Sequence, residues 1–493
     1  MQRYKALTAA LLVVSAIAAG VAACGGHVDD GAAATVFAAN DLPETGLQGQ
    51  VPIADQTSGR STAGYRKGMT LVGQSTLMDR GGNMQLAWYR NCAYVDNGSA
   101  GNHPLEGLAV VDVSDPAKPS LVRIVSSPTG HNSWEGLEVG SATGVMVAFA
   151  TSRTNPLYTT LFGADNPNND GIAADALDVY DLSQDCRNPV RAATLSTRDL
   201  FPGGIHGLKI SPDGRTAYIS TIKAFAAPAS QATLAAVDIS VPSAPKVIAT
   251  WNWNDDPENT GAEAWHDGDI SDDGNTLYWG TVASFANEPV KHTGVRAFDV
   301  SSIRNRSANA SFRLLGKVDW TDCGDSQGHT VQFAKINGAP YVFAGAECTG
   351  VQYHVIPVGD PAHMTVAATY TTEASDPKNA AAVANDNVTY WGHYTGVDSV
   401  ANATTLFVTW YGSGLRLLDI RDPLHIKEFA YYNPPAHPNN VFCGLMCATK
   451  NEVLMSDVHY DRGSGNIWFA GVNGGFYVAH ITASAGPNGL TVQ

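Results

Sequence analysis

The feature that most constrains this chain is an internal repeat. Five segments, 107–114, 176–183, 234–240, 294–301 and 414–421, each read as a β-rich run that ends in an aspartate and passes into a turn. The aspartates are Asp112, Asp181, Asp238, Asp299 and Asp419. Two weaker copies, 350–357 and 475–482, fill the gaps, with Val355 and His480 in the aspartate's place and a spacing of 56 to 69 residues throughout. Periods of this length mark units that bury their apolar faces only by stacking on a neighbour.

Each copy is followed by a proline-containing turn and another β-rich run, as in Asp115-Pro116 leading into 121–125. Each is preceded by a hairpin pattern. The stretch 206–220 shows it best, with Asp213-Gly214 between alternating strands, and Asp272-Asp273-Gly274 repeats it one unit later. Four strands per repeat predict an all-β fold, a seven-bladed β-propeller with four-stranded blades whose closed ring exposes no long sheet edge. Residues 69–77 read as an outer strand without a blade of its own that could complete the last blade. Residues 489–493 compete for that place.

The run Val110-Val111-Asp112-Val113-Ser114-Asp115-Pro116 resembles the LVIVD repeat of bacterial extracytoplasmic propeller proteins. The resemblance extends over most of 65–493 and implies the fold. Most members of that family have no assigned chemistry, so it implies little about activity.

At the N-terminus, Arg3 and Lys5 precede an apolar run from Ala6 to Ala19 that is shorter than the ~20 residues a membrane-spanning helix needs. Residues 1–23 therefore read as a signal peptide. Val21-Ala22-Ala23-Cys24 resembles a bacterial lipobox, which implies lipidation of Cys24. Gly25 and Gly26 stand where an inner-membrane retention signal has aspartate, and this resemblance implies an outer-membrane lipoprotein facing the periplasm or the cell surface. Residues 24–64, rich in Ala, Gly, Thr and Asp, read as a flexible tether, and 65–493 as the propeller.

A formal net charge of -16 argues against nucleic acid as a partner. Six cysteines follow Cys24, and an even number in an oxidising compartment predicts disulfides. Cys323 with Cys348 and Cys443 with Cys447 are the expected pairs, each within one stretch of chain.

Aligning the blades on their first strands, which line the channel of a propeller, brings His206, His266, His329, His393 and His459 to one position. Glu135 takes that place in blade 2, and Asn83 or Met84 in blade 1. Two readings follow. Blades copied from one ancestor inherit a packing role, such as a ring nitrogen bonded to the next blade's backbone. Alternatively, imidazoles converging on the axis make a site for iron, copper or zinc, with Glu135 as ligand or as the partner that orients a ring. The carotenoid oxygenases and the selenium-binding protein family are similar in architecture only. Trp134, Trp265 and Trp391 recur beside the register and are candidates for a ligand-binding wall.

The sequence contains no nucleophile elbow, no His-Glu-x-x-His, no phosphate-binding glycine loop and no EF-hand spacing. Two functions are consistent with these features. One is a lipid-anchored envelope propeller that binds a small molecule or a partner protein. The other is a metal-dependent enzyme, an oxidoreductase above all, using the channel histidines.

Overall fold

The computed structural model describes residues 40–97, 105, 107–125, 135–149, 176–197, 199–201, 205–221, 233–256, 263–283, 293–322, 328–437 and 451–482. Cys24, Trp134, Cys323, Cys443, Cys447 and residues 489–493 lie outside them.

Seven antiparallel sheets form the blades, each meandering outward from an inner strand. Blade 4 illustrates the order: Glu263–Ile270 innermost, then Thr276–Ala283, Thr293–Asp299 and Arg313–Trp320. The aspartate of the repeat ends the third strand because its carboxylate accepts the backbone N–H two residues on. This holds for Asp112 with Ser114 (2.9 Å), Asp181 with Ser183 (2.8 Å), Asp238 with Ser240 (3.0 Å), Asp299 with Ser301 (2.9 Å) and Asp419 with Arg421 (3.0 Å). Such a turn gives the chain a substitute for the ladder bonds it leaves, and releases it toward the fourth strand.

In blade 5 the corresponding residue is Pro357, paired with Tyr341, rather than Val355. The Asp360-Pro361 turn keeps the step seen at Asp422-Pro423, so the expected alignment of this copy was two residues out.

Apolar side chains of adjacent blades fill the space between them. Phe407, Leu415 and Leu417 of blade 6, for instance, pack on Ile467, Phe469 and Ala479 of blade 7. The ring is closed by Met69–Ser75, which pairs with Gly475–Ile481 and supplies the outer strand of blade 7. Sequence alone left that strand open between two candidates.

Residues 41–64 correct the expected tether, because they belong to the body. Leu42 forms a bridge with Arg66, and Tyr65–Lys67 adds a fifth strand to blade 6. Ile53–Ser58 is a short helix beside them. The buried Arg416 binds the carboxylates of Glu44 and Glu428, and Gln50 donates to Asp386 at 2.8 Å. A segment fastened through polar contacts more than 300 residues away carries no periodicity of its own.

The strand pairings also settle the inner register. Lys209 faces Tyr218, Asp269 faces Tyr278, Gln332 faces Phe343, Gly396 faces Phe407 and His459 faces Trp468. His206, His266, His329 and His393 each lie three residues before that level. In blade 7 the same step back reaches Ser456, in blade 2 Glu135 and in blade 1 Met84. His459 is therefore not a member of the set. Its ring stacks on Trp88 (4.4 Å between centroids) and meets Trp468 edge-on (4.8 Å).

Cys92, in the second strand of blade 1, is disulfide-bonded to Cys186, in the turn after the third strand of blade 2. The expected pairing had left both unassigned. Cys348 is also disulfide-bonded.

Two outcomes follow from this framework. The Cys92–Cys186 bond closes a loop across 94 residues, so Cys92→Ala/Cys186→Ala should lose about 3–5 kcal/mol, read as a lower chemical-denaturation midpoint. Burial pushes the His459 imidazole down to about 4, so protonation favours the unfolded chain. Stability owed to this residue is full at neutral pH and falls as pH drops from about 6.5 toward 4. The advantage of wild type over His459→Gln should shrink by about 1.4 kcal/mol per pH unit in that window, measured by urea titration.

Candidate metal centre

The register residues of five consecutive blades, Glu135, His206, His266, His329 and His393, meet at the axis. In blades 4, 5 and 6 the histidine opens a β-bulge. Pairing skips from Trp265 to Gly268, from Gly328 to Val331 and from Gly392 to Thr395, each time against one residue fewer on the second strand. A bulge sets two residues opposite one and re-aims their side chains, and here it turns the imidazole inward.

Neighbouring blades hold the bulges in place. Ser220 Oγ donates to the His266 carbonyl at 3.0 Å, Tyr353 Oη to the His393 carbonyl at 2.9 Å, and Thr409 Oγ1 to the Ser456 carbonyl at 2.9 Å. The approach is so close that a Cβ on Gly207 would meet the His266 carbonyl oxygen at 1.8 Å. In blade 2, Glu135 takes a left-handed backbone conformation, with φ of 60°. That is an uncommon state for a residue with a side chain, of the kind held at functional sites.

Glu135 is 4% exposed, and its two oxygens face different rings. Oε1 lies 3.0 Å from His393 Nε2. Oε2 lies 3.3 Å from His206 Nε2 and 3.7 Å from both His266 Nε2 and His329 Nε2. The Nε2 atoms of His206 and His266 are 3.0 Å apart. His393 Nδ1 donates to the Met455 carbonyl, which fixes that ring and turns Nε2 toward the cluster.

Several of these atoms are buried without a hydrogen-bond partner: Glu135 Oε2, His266 Nδ1, both ring nitrogens of His329, and His393 Nε2. A buried polar atom left unpaired is costly. Lone pairs of imidazoles and a carboxylate facing one another need shared protons or a cation between them, and a nitrogen-rich set of this kind fits a metal ion.

The electrostatics agree. Burial, with His329 and His206 as like neighbours, holds the His266 imidazole well below its usual range. Burial beside His393 lowers His329 to about 3. Both are neutral at pH 7, the state in which imidazole ligates a metal. Burial opposes charge on Glu135 and His393, yet their mutual attraction outweighs it, so the carboxyl of Glu135 is held low and the imidazole of His393 high.

Glu347 was not anticipated. It stands one residue past the second strand of blade 5, with a carboxylate oxygen 3.6 Å from His393 Nε2 and the other 4.0 Å from His329 Nε2. Burial pushes its carboxyl up to about 7, and Tyr411, at the equivalent place in blade 6, donates its hydroxyl to it. The only signal in sequence was an acidic residue directly after a buried strand.

Of the expected site residues, then, the structure gathers His206, His266, His329, His393 and Glu135 and leaves His459 apart. Trp265 is fully buried among Trp251 and Phe298 within the blades, so it is not part of a ligand wall. A large side chain beside the register fills the gap between sheets before it can reach the axis. Trp391 is partly exposed, with its indole N–H donating to Thr349 Oγ1 at 3.2 Å and its ring edge-on to Tyr411.

On the other side of the histidine layer lies a cavity of about 420 Å³, lined by Asp267, Thr330, Asp457 and the inner strands beyond them. Lys209 there bridges Glu138 (3.1 Å) and Asp269 (3.3 Å). Glu138 and Asp269 each accept a backbone N–H from the next blade, from Ile210 at 2.6 Å and Phe333 at 2.8 Å.

No curated protein matches the chain. Among solved structures it is similar to the β-propeller domain of Cps50 (Swd1) from Myceliophteria thermophila (9% identity over 81% of this chain and 96% of that one, TM-score 0.48). It is also similar to the periplasmic gluconolactonase PpgL of Pseudomonas aeruginosa (11% identity, 78% and 95%, TM-score 0.48) and to Sqt1 of Saccharomyces cerevisiae (11% identity, 81% and 96%, TM-score 0.46). Residues 104–127, which include the segment ending in Asp112, match the model of the LVIVD repeat. With seven blades around one axis, the chain is a β-propeller that carries a match to the LVIVD repeat at residues 104–127.

Proposed function

We propose that this protein is a cell-envelope propeller, anchored to the outer membrane by lipid on Cys24, that holds a transition metal among His206, His266, His329, His393 and Glu135 and presents it to a small molecule or a partner protein. The observation that carries the reading is the placement of four imidazole Nε2 atoms 3.0–3.7 Å from one buried carboxylate. Iron, copper and zinc accept this nitrogen-rich donor set. An inherited packing role explains it less well, because such a role needs ring nitrogens bonded across blades. His393 makes such a bond, while both nitrogens of His329 and Nδ1 of His266 have no hydrogen-bond partner.

A catalytic use of the metal is favoured by Glu347. While not itself bound to an ion, a carboxyl raised to about 7 by burial, hydrogen-bonded to Tyr411 and within 4.0 Å of two ligand histidines, is suited to exchanging a proton beside a bound substrate. When bound, the ion would supply Lewis-acid or one-electron chemistry there.

Purified protein reconstituted with Fe2+, Cu2+ or Zn2+ should retain at least one equivalent of one of them after desalting, by elemental analysis. His266→Ala/His329→Ala should stay folded and lose it, whereas His459→Ala should keep it. Substoichiometric metal in wild type with all three ions would refute the metal reading. A chelator should lower the melting temperature of the loaded protein, since an ion at 1,000 times its Kd contributes about 4 kcal/mol.

A further inference from the structure

The axial donors do not form a single set. They fall into triads whose ligand atoms lie within 4.8 Å of one another: Glu135 with His206 and His266, Glu135 with His329 and His393, and His266 with His329 and Glu347. One ion bound at about 2.0–2.1 Å from every donor needs all of them within about 4.2 Å of each other. Glu135 is common to the first two triads and offers them two oxygens. Oε1 faces His393, and Oε2 faces His206, His266 and His329.

We infer that the cluster is a dinuclear centre in which the Glu135 carboxylate bridges two metal ions, one held by His206 and His266 and the other by His329 and His393, with Glu347 as the second carboxylate. This deepens the metal reading above and rests on it.

Three further observations fit. Carboxylate-bridged pairs of ions sit roughly 3.5–4 Å apart, a separation that one glutamate spans. Glu135 has the uncommon left-handed backbone, and its carboxylate reaches rings from blades 3, 4, 5 and 6, as a shared ligand requires. Glu347 lies on the side of His329 and His393, at 4.0 and 3.6 Å, where the second ion needs charge that the shared carboxylate cannot fully supply. The hydroxyl of Tyr411 and the Met455 carbonyl hold Glu347 and His393, and partners of this kind orient metal ligands.

The test is stoichiometry in the full-length wild-type protein, which needs no variant. After loading with Zn2+ and desalting, two equivalents should be found per chain by elemental analysis and native mass spectrometry. His206→Ala/His266→Ala and His329→Ala/His393→Ala, with unchanged far-ultraviolet circular dichroism, should each keep one. Loaded with Cu2+, wild type should show an integrated electron paramagnetic resonance signal well below that of its copper content. Each half-site variant should show the full signal of one isolated ion. One Zn2+ in wild type, lost in both variants, would overturn the dinuclear centre and leave the metal reading standing. Two ions with an undiminished copper signal would overturn the bridge. No bound Zn2+ or Cu2+ would remove both readings together.

Discussion

The grip of each inner strand on the blade beside it is the interaction from which the rest of the molecule follows. Ser220, Tyr353 and Thr409 reach across to the carbonyls of His266, His393 and Ser456. One layer further along the channel, Glu138 and Asp269 do the same through backbone N–H groups. Buried hydrogen bonds of this kind contribute only about 1 kcal/mol each, but leaving one partner unsatisfied costs more, so together they admit a single packing of sheet on sheet. The bulges in blades 4 and 6 are tolerated because bonds from Ser220 and Tyr353 occupy the carbonyls of His266 and His393 that the ladder releases.

That packing brings chemistry to the axis without any contiguous motif. Each blade contributes one residue at a common height, and five adjacent blades contribute donors while Met84 and Ser456 complete the circle. Met84 packs with Tyr411, Val453 and Met455, so the donors crowd toward one side of the channel and an apolar wall occupies the other. A site of this form is rigid because every ligand stands on a different sheet of one closed ring.

Much of the architecture was legible in the sequence because its causes are local. The aspartate that ends each third strand, the Asp-Pro turn after it and the Asp-Gly hairpins act within a few residues of themselves. The shared height of His206 and His266 could be read for the same reason, since each stands seven residues before the aspartate of its Asp-Gly turn, and His329 and His393 follow a glycine in a similar context. His459 deceived because its neighbours imitate that context, whereas pairing with Trp468 is set by the length of the strand that follows. Glu347, Tyr411 and the Cys92–Cys186 bond were invisible for a different reason. Their partners are far away in sequence, and no spacing encodes a contact that only the closed ring creates. The docking of 41–64 on blade 6 belongs to the same class.

The closing strand has a consequence for how the protein comes into being. Thr70 pairs with His480, so the sheet that seals the ring joins the beginning of the body to nearly its last described residues. Blades can accumulate one after another as the chain is made, but the seventh lacks its outer strand until both ends are present. Contacts of such sequence separation are slow to form, and until they do the assembly keeps an unpaired edge open to other chains. Maturation therefore has a late, indivisible step: the ring closes only when Met69–Ser75 finds Gly475–Ile481.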